Sequence, residues 1–124
     1  MGVSATPSAD DVLDPEVVVL PLPDVAQRLD LPVTKVRQAL RDGQLVAVRR
    51  DGVLSVPAEF LTDEGTIVKG LPGTITVLAD AGFAPDEMVR WLFTPDDTLP
   101  GRPIDALRAT GGREVKRRAQ ALAL

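Results

Sequence analysis

Thr34, Lys35, Arg37, Gln38 and Arg41 fall within eight consecutive residues of this 124-residue chain, and Arg49 and Arg50 follow shortly after. Their chemistry is that of anion and base-edge recognition. A guanidinium is planar and pairs in two-point fashion with a guanine edge or a phosphate, a glutamine amide matches adenine, and threonine or lysine contacts phosphate. Spacing decides which of these groups share a surface. At roughly 100° per residue, Val33, Val36, Ala39 and Leu40 gather on one side of a helix. Thr34, Arg37, Gln38 and Arg41 then occupy the opposite side with Lys35 at its edge, a face of three cations and no carboxylate. A solvated helix face has the same pattern, so the helix alone does not decide between the two.

No comparable set of residues points to catalysis. The chain has no Cys and no His, which excludes disulfides, zinc sites of the usual ligand types, and thiol or histidine chemistry. No metal or cofactor is expected. Asp96 and Asp97 lie in a proline-flanked turn without a nucleophile or a second catalytic group, so they read as capping and solvating carboxylates. Gly70-Leu71-Pro72-Gly73 lacks the Gly-Lys-Ser/Thr ending of a phosphate loop and reads as a junction from loop to helix. The expectation is a binding protein, not an enzyme.

The elements that must position the cationic face are legible on either side of it. Val25, Ala26 and Leu29 line one face of a short preceding helix, with Asp24 behind Pro23 as its expected N-cap. Asp30-Leu31-Pro32 breaks that helix, because proline is tolerated at a helix start but not inside one, and a second helix opens at Pro32 or Val33. Asp42 and Gly43 end it, with Gly43 as the left-handed residue. Leu45 to Arg50 and Val53 to Val56 are strand-like and are separated by Asp51-Gly52 alone, a strong hairpin signal. Alternation puts Leu45, Ala47, Leu54 and Val56 against the helix pair, and sets Arg49 and Arg50 on opposite faces at the tip. Two helices joined by a tight turn and followed by such a hairpin make a winged helix-turn-helix. The second helix then enters a major groove, and the arginine tip touches the backbone or minor groove beside it.

Residues 22–61, LPDVAQRLDLPVTKVRQALRDGQLVAVRRDGVLSVPAEFL, resemble the helix-turn-helix and wing of MerR- and excisionase-type DNA-binding domains. Nearly the whole chain resembles an actinobacterial family of winged-helix DNA-binding proteins. DVLDP, LVAVRR, VKGLPG, RWLFTP and REVKRRAQA carry that likeness. The family includes a mycobacterial substrate of a membrane Ser/Thr kinase. The resemblance therefore implies double-stranded DNA as one partner and a Ser/Thr protein kinase as another, acting on Thr6, or on Ser4 or Ser8, in the N-terminal tail. Residues 91–122, from Trp91 to Leu122, also resemble the C-terminal domain of antitoxins of the Xre/MbcA/ParS group, which share a tryptophan, a proline-containing loop, a Gly-Arg-Pro step and a terminal helix. The alternative this carries is a protein-interaction module acting through residues 70–124. The front end of those antitoxins is a different helical domain, so toxin neutralisation does not transfer with the loop.

The rest of the chain reads as support. Its 44% hydrophobic content suffices for one compact core, built mainly from Leu, Val and Ala because aromatics are only 3%. Net charge is −4, but its distribution is uneven. Residues 1–24 hold Asp10, Asp11, Asp14, Glu16 and Asp24 with no cation, while residues 25–57 hold six cations against Asp30, Asp42 and Asp51. Acid is thus segregated from the expected DNA face. Residues 1–16 read as a flexible acidic tail. Val17 to Leu20 either adds a strand to the wing or leads into the first helix. Pro57 to Leu61 forms a short helix, Thr62 to Gly65 a turn, and Thr66 to Lys69 a brief strand. Pro72 to Ala81 is a helix burying Ile75, Val77, Leu78 and Ala81; a further helix from Pro85 carries Met88, Val89, Trp91, Leu92 and Phe93 in the core, Trp91 as an anchor. A last helix from Arg113 buries Val115, Ala119 and Leu122. Its cations Arg113, Lys116, Arg117 and Arg118 read either as a second phosphate-binding patch or as the basic residues that a helix C-terminal segment favours. No apolar run approaches the length of a membrane span and no basic, hydrophobic leader is apparent, so no membrane association and a cytoplasmic location are expected. The expected fold is α+β and mostly α: a flexible tail over 1–16, a winged helix-turn-helix over 17–61, and a C-terminal helical subdomain over 62–124 packed on it.

Overall fold

The computed structural model describes residues 8–10, 13–99, 101–110 and 112–122. Helix α1, Leu22–Leu29, begins earlier than the sequence suggested. Asp24 is not its N-cap. Pro21 holds that position and Pro23 lies within the first turn, where a missing N–H forfeits no helical bond. Asp24 sits in the same turn, near the positive end of the helix. The break to the next helix is made by Asp30 at φ 55, a left-handed conformation usually left to glycine. It lets the Leu31 N–H reach the Ala26 carbonyl at 2.9 Å. Pro32 is extended, and α2 runs over Val33–Arg41 as the proline rule requires. Gly43, at φ 76, closes α2: its N–H meets the Leu40 carbonyl at 3.3 Å and that of Gln44 meets Ala39 at 2.9 Å.

The wing follows as β3, Ala47–Arg50, and β4, Val53–Pro57, paired antiparallel with Arg50 opposite Val53. Asp51 at φ 52 and Gly52 at φ 79 form the tight turn whose twist matches the flanking strands. Of the two options open for Val17 to Leu20, the strand is realised: β2, Val19–Pro21, pairs antiparallel with β4. A fourth strand, β1 over Ser8–Asp10, runs parallel to β3 with Ser8 beside Ala47, giving the order β1-β3-β4-β2. Within the stretch expected as a flexible tail through residue 16, Ser8–Asp10 forms a strand and residues 13–16 are described. Leu13 is buried, and the Val17 N–H bonds the Asp14 carbonyl at 2.9 Å. The hydrogen-bonding edge of β3 accepts a backbone whatever its side chains, which composition does not reveal. Ser4 and Thr6 lie outside the described residues.

The wing's burial also departs from simple alternation. Leu45, Ala47 and Val56 are buried on the expected side and Leu54 is half-buried, yet Val46, Val48 and Ser55 on the other face are buried too. A hairpin covered on one face alternates; this one is covered on both at its base. The strand pair passes through Pro57 into a 3-10 helix, Ala58–Phe60. Beyond it, Thr62 and Gly65 turn the chain as expected, but the strand expected over Thr66 to Lys69 shrinks to one bridge between Leu61 and Ile67.

Four helices complete the chain: α3, Leu71–Asp80; α4, Pro85–Phe93; α5, Pro103–Thr110; α6, Arg113–Ala121. In α3, Leu71, Thr74, Ile75 and Leu78 are buried, whereas Val77 and Ala81 are only half-buried. Helix α4 opens on Pro85, and the Glu87 carboxylate takes the Ala84 N–H at 2.8 Å. Met88, Val89 and Leu92 are its buried face, and Trp91 packs half-exposed against the core edge instead of anchoring it. Helix α5 was not read from the sequence, although Pro103 at its start, Asp105 in its first turn and the buried pair Ile104 and Leu107 spell one. Helix α6 buries Val115 and Ala119, but Leu122 lies past its end and is 46% exposed. Asp96 caps its own turn, accepting the Thr98 N–H at 2.8 Å and the Thr98 hydroxyl, which hold its carboxyl below the ordinary value. One continuous core links the wing, the helix pair and α3 to α6. The fold is α+β, mostly helical, with a winged helix-turn-helix in front and helical support behind.

Candidate nucleic-acid interface

Burial of Val36 and Leu40 fixes the rotation of α2 and leaves Thr34, Lys35, Arg37, Gln38 and Arg41 exposed together. Two of these are not independent. Nη2 of Arg41 donates to Oε1 of Gln38 at 3.2 Å, and Nε2 of Gln38 donates to Oδ1 of Asp42 at 3.0 Å. The amide is thereby held with its carbonyl toward Arg41 and its NH2 toward Asp42. This places a carboxylate at the end of a face expected to carry none. The side chains of Thr34, Lys35 and Arg37 make no hydrogen bond or ion pair among the described residues.

At the wing the two arginines separate, as the pleat requires. Arg49 is exposed and folds over the turn, its Nη1 donating to the Gly52 carbonyl at 3.3 Å. Arg50 is half-buried and spans back to the N-terminal segment, donating from Nη1 to the Val17 carbonyl and from Nη2 to the Asp14 carbonyl at 3.2 Å. The structure thus brings together Thr34, Lys35, Arg37, Gln38 and Arg41, with Arg49 on the wing, and uses Arg50 as a tie between wing and tail. The sequence placed both arginines at the tip because it gave no sign that residues 13–17 cover the Arg50 face.

A second cluster went unread. Arg102 donates from Nη2 to Glu59 and to Asp105 at 2.7 Å and from Nε to Asp105 at 2.9 Å, and its Cζ lies 5.3 Å from the centre of the Phe93 ring. Hydrogen bonds from Arg102 hold the Asp105 carboxyl below its ordinary value, and the same pairs push the guanidinium up. Arg108 donates from Nη1 to the carbonyls of Glu59 at 2.8 Å and Leu61 at 2.7 Å. These two arginines fasten α5 to the end of the wing hairpin. Asp three residues after Arg102, at a helix start, was a visible signal; Glu59, far off in sequence, was not. Among the described residues no group of three or more His, Cys, Asp or Glu could hold a metal ion, and no helix is long and apolar enough to cross a membrane.

The family model described as the wHTH domain of DNA-binding protein Rv2175c matches residues 5–61, and the model described as the Rv2175c C-terminal domain of unknown function matches residues 68–123. The curated DNA-binding protein Rv2175c of Mycobacterium tuberculosis is 49% identical over 133 aligned positions, covering 98% of this chain and 91% of its own. The fold superposes on the NMR structure of Rv2175c with a TM-score of 0.87 at 48% identity, covering 98% of this chain and 92% of the other. The description of the front half is that of a DNA-binding domain.

Proposed function

As the chain belongs to the Rv2175c family of winged-helix DNA-binding proteins, we propose that it reads double-stranded DNA with α2 in the major groove and Arg49 on the flanking backbone. The observation that carries this reading is the exposed set Arg37, Gln38 and Arg41, turned away from the buried Val36 and Leu40, with Gln38 oriented by Arg41 and Asp42. A preset amide and two guanidiniums are the groups that discriminate base edges, and Thr34 and Lys35 beside them suit phosphate. The role that follows is transcriptional or chromosomal regulation in the cytoplasm. Fluorescence anisotropy on labelled duplexes tests it: Arg37→Ala/Arg41→Ala should lose roughly 1–3 kcal/mol for each two-point base contact removed. Unchanged affinity and sequence preference in the folded double variant would refute the assignment.

The same reading includes regulation through the tail by a Ser/Thr protein kinase. Thr6 lies two residues before Ser8 in the sequence, and Ser8 to Asp10 pair with Ala47 to Arg49 of the wing. A phosphothreonine adds about −1.5 to −2 charges and competes with DNA for Arg41 and Arg49. Thr6→Glu should weaken binding, and the effect should shrink as salt rises; tighter binding by that variant would reverse the proposed sign.

A further inference from the structure

The C-terminal half carries cations that the described residues leave unpaired. Glu114, the only carboxylate of α6, is taken by Arg118 at 3.0 Å and more loosely by Arg117 at 3.6 Å. Arg113 and Lys116 are exposed, make no ion pair among the described residues, and share a helix side through their three-residue spacing. Lys69 is exposed and unpaired in the same sense. The fold collects all three. Helices α3 and α6 start side by side: a Cβ on Gly112 would lie 3.6 Å from the Cα of Gly70. Gly70 directly follows Lys69, and Gly112 directly precedes Arg113. The Lys116 ammonium lies 3.9 Å from where a Cβ on Gly73 would stand, over the first turn of α3.

A short stretch of chain links this patch to the α2 face. The Lys35 edge of α2 borders a shallow hollow shared with Asp42 and Ile67, and Ile67 is two residues from Lys69. Asp63 and Glu64 line a separate hollow together with Lys69 and Arg108 but form no ion pair with Lys69 among the described residues. We propose that Lys69, Arg113 and Lys116 form a second phosphate-contacting patch, engaging the DNA backbone beyond the segment read by α2. The partner is DNA because a duplex offers evenly spaced negative charge along its whole length, matching cations laid out from Lys35 onward. The inference rests on α2 reading DNA, and it assigns the C-terminal half a longer footprint.

The test uses the full chain and anisotropy at a series of salt concentrations, on random-sequence duplexes of about 12 and about 30 base pairs. In Lys69→Gln/Arg113→Gln/Lys116→Gln, the slope of log affinity against log salt should become shallower by about 2 to 3 on the long duplex and stay unchanged on the short one. Arg90→Gln, which removes an exposed cation from the groove shared with Val18 and Phe93, should leave both slopes alone. Circular dichroism checks the fold of the triple variant; should it fail, the three single variants replace it, each expected to flatten the slope by about 0.9. A wild-type slope on the long duplex, with binding still weakened by Arg37→Ala/Arg41→Ala, overturns the patch and spares the α2 reading. An equal change on both duplexes overturns the longer footprint. Absence of salt-dependent binding by the unmodified chain overturns both readings.

Discussion

Nη2 of Arg102 donates to Oε1 of Glu59 at 2.5 Å, joining residues 43 positions apart and pinning the C-terminal helices to the end of the wing. The pair is half-buried, with side-chain exposures of 26% and 33%, and Arg102 also serves Asp105 and the Phe93 ring. Arg102→Met keeps the packing length and removes the charge, leaving Glu59 without its partner. It should lower unfolding stability by about 2 kcal/mol, seen as a lower urea midpoint at unchanged slope.

The same cluster sets an acid limit. Arg102 depresses the folded Asp105 carboxyl from its ordinary value of 3.8. A depressed carboxyl contributes stability that is full above the unfolded value and is lost as pH falls through the folded one. Thermal midpoints of the wild-type protein and Arg102→Met should therefore differ most at neutral pH and converge as pH falls below about 3.8. A gap that widens in acid would contradict the cause assigned here.

Arg49 and Arg50 should behave as different kinds of residue despite being neighbours. Arg49→Ala should flatten the salt slope of DNA binding by about 1 and leave unfolding stability unchanged. Arg50→Ala should do the opposite, lowering the urea midpoint because two backbone carbonyls, at Val17 and Asp14, lose their donor. Identical behaviour of the two variants in both measurements would contradict the geometry.

Asp42 accepts a hydrogen bond from the Gln38 amide at the end of the exposed α2 face. Asp42→Ala frees the Gln38 amide to rotate and removes a negative charge from the face. Affinity for random-sequence DNA should rise, and the preference for a selected site over random sequence should fall, both read by competition anisotropy.

How much of this was legible follows from the range of the interactions involved. Helix α2, its glycine stop and the Asp51-Gly52 turn obey local rules of spacing and backbone conformation, and the sequence states them outright. The start of α1 was misplaced because the proline rule admits Pro23 just inside a helix as readily as just before it. Arg50, Glu59 and β1 are settled by partners 33 or more positions away in sequence, and no window of neighbouring residues contains them. The Gln38–Asp42 bond is local, at four residues' spacing, and was available to sequence reasoning; treating the face as purely cationic hid it.

Among the described residues strand β1 pairs with β3, which begins at Ala47, and with no strand nearer to it in the sequence. During synthesis the first strand of the sheet must therefore wait until the helix pair and the hairpin have emerged and folded, since closing so long a loop precedes any gain from three residues of pairing. The order of assembly thus runs against the order of translation. A three-residue edge strand added late should exchange its amide protons sooner than the strands it flanks, so the wing edge is less protected than the core behind it.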